Sequence, residues 1–293
     1  MKKMIYSFIS KLGYKIENKK KEKKRKLQFV NQFDAKINQF LLIKSISFIE
    51  KILESYPDLK IEDDNNGLVF EFNGVKIYVE SYEEILIINE IFVEKDYGFF
   101  TNETVVLIDI GTNIGIASVF FSKKNNISKI YAFEPVEATY NQALINFKMN
   151  EHFLKVNKFN KYGLAKNDKK EIFLFNNNVK GNTGVRGAMS ASFVSSMVVE
   201  VEVELRNATT EIEKIIIENP NTKIAVKMDC EGGEYEIFEN LEASGCIKKI
   251  DFLILEWHDR GSESLELILQ KNKFDYFTRN LTCKTGMLYA YKK

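Results

Sequence analysis

The chain has 293 residues, 45% hydrophobic and 28% charged, with 42 Lys and Arg against 41 Asp and Glu. That length supports one sizeable core with an appendage better than two equal domains, and a net charge of +1 supplies no long-range field to gather nucleic acid. Cys230, Cys246 and Cys283 cannot all pair and show no metal-ligand spacing, which reads as reduced thiols in a cytoplasmic protein.

Ile5, Phe8, Ile9 and Leu12 fall on one face of a short helix, expected to pack on its own domain, with peripheral contact to a membrane surface as the alternative. No signal peptide and no apolar run of about 18 residues is read, so a soluble chain is expected. The run KKKEKKRK over Lys19–Lys26 reads as a solvated linker or helix surface. Val30, Ile37, Leu41, Phe48 and Ile52 keep helical spacing from about Leu27 to Tyr56, which predicts one or two helices ended by Pro57. LVFEF and VKIYVE alternate about Asn73-Gly74, a strong hairpin signal because that pair tolerates the positive φ angles of a tight turn. A helix over about 82–93 completes an accessory region of residues 1–100, whose expected use is as a lid or a homodimer contact.

Beyond residue 101 strands and helices alternate. VVLIDI, KIYAFE, a strand near 156–164, KIAVKMD, DFLILEWH and two closing strands near 274–279 and 287–291 predict an α/β fold. Its doubly wound, mostly parallel sheet has seven strands, carries the N-terminal helical and β-hairpin extension, and ends in an antiparallel pair. A segment at about 176–196, rich in Asn, Gly and Ser, interrupts the alternation and is a candidate wall of an acceptor site.

The first strand runs through Asp109 into Gly111-Thr112-Asn113-Ile114-Gly115 and then a helix. Gly111 can take backbone angles closed to other residues, Gly115 permits close approach of the helix, and Asp109 offers a carboxylate at the strand's end. The second strand ends in Glu134-Pro135, about 20 residues on, where a doubly wound fold presents an acid to a ribose diol. Glu134 could instead be a carboxylate held by a helix dipole, while Pro135 suits a first helical turn.

VVLIDIGTNIGIASVFF, YAFEP, INFKMN, VKMDCEGGEYEIFENL and LILEWH together resemble the FkbM-family methyltransferases, with NEIFVEKDYGF upstream sharing the likeness. The resemblance implies a class I enzyme using S-adenosyl-L-methionine. Asp109, Gly111, Thr112, Asn113 and Gly115 would lie at the methionine end of that cofactor, and Glu134 with Pro135 at its ribose. Thr112 stands where the family usually has alanine, and Lys161–Leu164 falls where such enzymes approach adenine.

Asp229 and Glu231 end a central strand beside Gly232 and Gly233, a charge cluster that needs polar partners or ligand. The competing reading is a Lys227–Asp229 ion pair with a helix-terminal Glu231. Glu256 and His258 share one side of the next strand while Trp257 faces the other. Asp229, Glu256 and His258 are therefore the candidate catalytic residues, His258 as an acceptor of a proton near neutral pH. His152 reads as a surface residue.

No metal is assigned, although the oxygens of Asp229, Glu231 and Glu256 would suit Mg²⁺. The resemblance points to O-methylation of a sugar, surface glycan or related small molecule. A non-catalytic scaffold and a nicotinamide-dependent oxidoreductase are the alternatives, the latter disfavoured because the glycines are four apart without a GxGxxG pattern.

Overall fold

The structure is a computed structural model that describes residues 19–99, 101–177, 179–184 and 198–292. The amphipathic stretch at 5–12 and most of the 176–196 segment lie outside the described residues.

The chain opens with α1 (Lys19–Val30), α2 (Gln39–Lys44) and α3 (Ile46–Ser55), three pieces where helical spacing predicted one or two. Asp63 breaks the pattern. Its carboxylate accepts the backbone N–H groups of Lys36, Ile37 (2.7 Å) and Asn38 (3.0 Å), holding a bend that leaves Ile37 79% exposed. Next come β1 (Lys60–Asp64), β2 (Gly67–Phe72) and β3 (Val75–Val79), an antiparallel sheet. The predicted hairpin is β2–β3, with Asn73 at φ 48° and Gly74 at φ 67°. The polar β1 was not anticipated. Ser81 caps α4 (Tyr82–Ile88) by accepting the Glu84 N–H, and the helix runs on into a π-helical turn at Asn89–Glu94.

The remainder contains β4 (Val105–Ile110), α5 (Ile116–Ser122), β5 (Ile127–Phe133), α6 (Glu137–Met149), β6 (Val156–Asn160), β7 (Gly163–Ala165), β8 (Lys169–Phe175), β9 (Val199–Asn207) and α7 (Ala208–Glu218). β10 (Lys223–Met228), α8 (Glu234–Ser244), β11 (Phe252–His258), α9 (Glu263–Lys271), β12 (Phe274–Asn280) and β13 (Thr285–Lys292) follow. Seven strands form one sheet in the order β12-β13-β11-β10-β4-β5-β6, parallel except for β13, which is antiparallel to both of its neighbours. This is the expected doubly wound, mostly parallel α/β sheet. Its order reverses between β4 and β10, which makes the carboxyl ends of those strands the place for a ligand. The single strand expected near 156–164 is divided between β6 in this sheet and β7 in a small β7-β9-β8 sheet.

Strand alternation sorts the core into two layers. Val105 and Leu107 face α5, α6 and the accessory helices, whereas Val106, Ile108 and Ile110 face α7, α8 and α9. Residues from α1 to β3 and from the central sheet share the first layer, so hydrophobic packing is continuous across residue 100. No helix among the described residues is long and apolar enough to cross a membrane.

Two asparagines fasten the accessory sheet to α6. Asn146 accepts the Tyr78 N–H (2.7 Å) and donates to Tyr78 O (3.3 Å) and Ile114 O (2.8 Å). One turn later Asn150 accepts the Lys76 N–H (3.0 Å) and donates to Lys76 O (2.6 Å). Spaced i, i+4 on one helix face, the two amides serve alternate residues of β3 as a further strand would. Because Tyr78 N–H and Ile114 O are buried with Asn146, Asn146→Leu should lower the unfolding free energy by about 1–3 kcal/mol for each group left unsatisfied, measured by urea denaturation.

Candidate active site

At the switch point β4 gives way to Gly111, with φ 73°, whose N–H donates to Phe133 O (3.1 Å). A Cβ here would lie 1.7 Å from Asp229 O, so the residue must be glycine for the ends of β4 and β10 to meet. Thr112 bonds the loop to both strands, its hydroxyl donating to Asp109 O (3.1 Å) and accepting the Phe133 N–H (3.1 Å). Asn113, at φ 53°, donates its N–H to Glu134 Oε2 (3.0 Å) and caps itself through Ile114 N–H. Gly115, at φ 87°, sits ahead of α5 against the Phe147 ring.

Parallel pairing sets Lys227 beside Asp109. Both are buried, and Lys227 Nζ lies 3.2 Å from Asp109 Oδ1 while donating to Gly111 O (2.6 Å). Ser118 of α5 donates to the other Asp109 oxygen (2.7 Å). Burial opposes the Lys227 charge, but Asp109 and then Asp229 outweigh it and hold the ammonium above its ordinary range. The competing reading of a Lys227–Asp229 pair thus gives way to a cross-strand pair with Asp109. Asp229 instead accepts a hydrogen bond from the buried Tyr97 hydroxyl (2.8 Å).

Two adjoining cavities flank this loop. A narrow one of about 60 Å³ is lined by Gly111, Asn113, Glu134, Pro135, Gly163 and Leu164, and is closed down by the Lys180–Thr183 turn. Lys180 is buried, pairs with Glu80 (2.6 Å) and Glu84 (3.3 Å), and bonds Gln142. Glu134 accepts from Asn113 and from the Val136 N–H (2.9 Å), which leaves lone pairs for a ligand. Burial lifts its carboxyl to about 7 against the lowering effect of those two bonds.

The larger cavity, about 460 Å³, joins Asn113 and Asp229 to Glu83, Glu90, Asp96, Glu231, Glu256 and His258. Burial raises Glu83 and Glu90 to about 8, with neighbouring carboxylates adding to it, and burial with Asp229 raises Glu256 well above the usual range. The His258 Nδ1 lies 3.1 Å from Glu234 Oε1. Burial lowers the imidazole's proton affinity, but the bond and charge of Glu234 together with Glu231 and Asp229 outweigh this and raise it to about 10.

Sequence reasoning named Asp229, Glu256 and His258, and all three line the larger cavity. Gly111, Asn113, Glu134 and Pro135 line the narrow one, and Thr112 reaches the larger. Asp109 and Gly115 line neither cavity, and Asp109 is engaged by Lys227 and Ser118. Glu83, Glu90, Asp96 and Tyr97 were not singled out. The last three lie within NEIFVEKDYGF, the upstream motif that carried part of the resemblance. His152 is exposed, as expected.

The Methyltransferase FkbM domain matches residues 109–277, more than half of the chain. The chain belongs to the FkbM methyltransferase family. It is similar to Methyltransferase 1 of Beauveria bassiana, 24% identical over 195 residues that cover 62% of this chain and 75% of the relative. Methyltransferase sdnD of Sordaria araneosa is 23% identical over 234 residues, covering 72% and 90%. Among solved structures, M. jannaschii TYW2 in complex with AdoMet gives a TM-score of 0.40 at 13% identity, covering 78% of this chain and 85% of that one. M. capricolum TrmK in complex with S-adenosylhomocysteine gives 0.36 at 13%, covering 68% and 66%.

The cofactor of this methyltransferase fold is S-adenosyl-L-methionine, and the residues present fit it. Thr139 Oγ1 and Thr183 Oγ1 are buried in the lining of the narrow cavity without a protein hydrogen-bond partner, as a polar ligand would require. Gly111 tests the loop that brings the cavities together. Gly111→Ala should cost about 1–3 kcal/mol from backbone conformation alone, with the clash against Asp229 O added, whereas Gly245→Ala, at φ 76° in open space, should show the conformational cost only in the same denaturation experiment.

Proposed function

We propose that the chain is an S-adenosylmethionine-dependent O-methyltransferase acting on a neutral, hydroxyl-rich acceptor such as a sugar or glycan. The observation that carries this reading is the carboxylate-lined cavity opening directly beside the glycine loop and Asp229. Hydroxyl groups donate to carboxylates, whereas a phosphate-bearing or nucleic-acid acceptor would meet like charge.

When bound, S-adenosylmethionine supplies a methyl group already activated on a sulfonium sulfur. The protein is left to align the acceptor, exclude water and receive its proton. Glu134 holds the ribose in the narrow crevice in this reading, with Gly163 and Leu164 along the adenine and Asn113, which lines both cavities, toward the methionine end. A ligand of that size needs a pocket of roughly 300 Å³ or more, which the narrow crevice and the adjoining cavity of about 460 Å³ supply together in this reading. Asp229, 27% exposed and oriented by Tyr97, is the group placed to take the hydroxyl proton. Alignment of the reactants can account for about 7–11 kcal/mol of the barrier, with proton transfer adding roughly 10²–10⁴-fold.

Two outcomes test this. Label from methyl-labelled cofactor should enter a hydroxyl-rich acceptor fraction, and Asp229→Asn should lower turnover roughly 10²–10⁴-fold with cofactor affinity little changed. Wild-type turnover in that variant would remove Asp229 as the base, and a chain that binds cofactor but labels no acceptor would favour a scaffold. Cofactor affinity should also follow pH. The ionised Glu134 accepts hydrogen bonds from the ribose diol, so binding draws off its proton. Affinity should rise with pH until it passes about 7 and then level, and calorimetry on Glu134→Gln should show weak, pH-independent binding.

A further inference from the structure

We propose that Asp229, Glu231, Glu256 and His258 form a site for one divalent first-row cation of the Mn²⁺ or Zn²⁺ type at the junction of the two cavities. One ligand atom each from Asp229, Glu231 and His258 can be chosen so that all lie within 4.8 Å of one another. Three carboxylate oxygens surround His258 Nε2 at 3.6 Å (Glu231), 3.7 Å (Glu256) and 4.0 Å (Asp229). None is a hydrogen bond. A protonated imidazole partnered by a carboxylate would draw one oxygen to about 2.7–2.9 Å. Ligand atoms around a shared cation, bonded at about 2.1 Å, stand roughly 3–3.5 Å apart when adjacent and roughly 4.2 Å when opposite.

The imidazole is 2% exposed, and its other nitrogen is held. Nδ1 meets Glu234 Oε1, and the Glu234 oxygens are fixed by the N–H groups of Cys230 (3.0 Å) and Gly232 (2.9 Å). Such a carboxylate orients a metal-binding histidine and sets which nitrogen faces the ion. One imidazole with carboxylate oxygens suits Mn²⁺ or Zn²⁺ better than Mg²⁺. At this place a cation would offset the carboxylate charge and make a nearby acceptor hydroxyl more acidic. That consequence rests on the methyl-transfer reading; cation binding itself does not.

The test titrates Mn²⁺, followed by loss of its free electron-paramagnetic signal, and Zn²⁺, followed by calorimetry, into the full chain stripped with chelator. One ion per chain is expected, with affinity at least tenfold weaker in His258→Ala and in Glu231→Gln. Glu234→Gln should weaken binding about 10–100-fold, and the surface change Glu213→Gln should leave it intact. In nitrogen-15 histidine spectra, Mn²⁺ should broaden Nε2 of His258. Thermal melts report folding of each variant, and Glu231→Gln decides if His258→Ala does not fold. Absence of stoichiometric binding to the wild-type chain, or binding that survives substitution in a folded variant of either ligand, overturns the site. S-adenosylmethionine titrated into the same stripped protein separates the two proposals. Cofactor binding without cation binding overturns only the cation site, and the reverse overturns only the methyl-transfer reading.

Discussion

The ion pair between Lys227 and Asp109 holds the site together. Neither group can be left alone, because breaking a buried pair by removing one partner costs about 3–5 kcal/mol. The pair forms because parallel register sets the two residues side by side on β10 and β4. Lys227 also binds Gly111 O, so the ammonium that neutralises Asp109 ties the glycine loop to the neighbouring strand. The lack of a side chain at Gly111 lets Asp229 O come close enough for that arrangement. The narrow crevice and the larger cavity thus share a wall whose position is set by buried charge and one missing methyl group.

The accessory region contributes side chains to the cavity as well as to packing. Tyr97 orients Asp229 and lies with its ring 5.2 Å from the Lys227 ammonium. Glu83 and Glu90 add carboxyls to the cavity, and Glu80 with Glu84 grips Lys180 of the turn above the crevice. Asn146 and Asn150 hold β3 onto α6, which begins just beyond Glu134 and Pro135. A shift of β3 would therefore be felt at both ends of the ligand cleft. The concentration of acid there is costly unless positive charge or hydrogen-bond donors are present, and His258 stands among those carboxylates with Nδ1 3.1 Å from Glu234.

Most of the sheet was legible because its strands are apolar runs bounded by turns and its helices keep one apolar face. The Asn73-Gly74 hairpin and the same-side placement of Glu256 and His258 followed from backbone geometry alone. Helix within residues 27–56 was legible, but the break between α1 and α2 was not, since it is held by Asp63, a residue distant in sequence whose carboxylate collects three backbone N–H groups. β8, β9 and α7 were missed although EIFLF and VEVEVEL alternate and Asn207 offers a helix cap, because the Asn- and Gly-rich segment between the strands drew the reading toward a loop. Within the site, the residue types were visible but their partners were not. Lys227 has carboxylates at two possible positions, and only the register between β4 and β10 selects Asp109.

The central claim is that one ligand spans the glycine loop, reaching from Glu134 to the edge of the cavity holding Asp229. A crystal structure of the chain with S-adenosylhomocysteine measures this directly. The account predicts ribose hydroxyls at Glu134, adenine beside Gly163 and Leu164, and the sulfur facing the cavity that contains Asp229 and His258. A ligand bound away from the carboxyl ends of β4 and β5, or with its sulfur turned from that cavity, would contradict it.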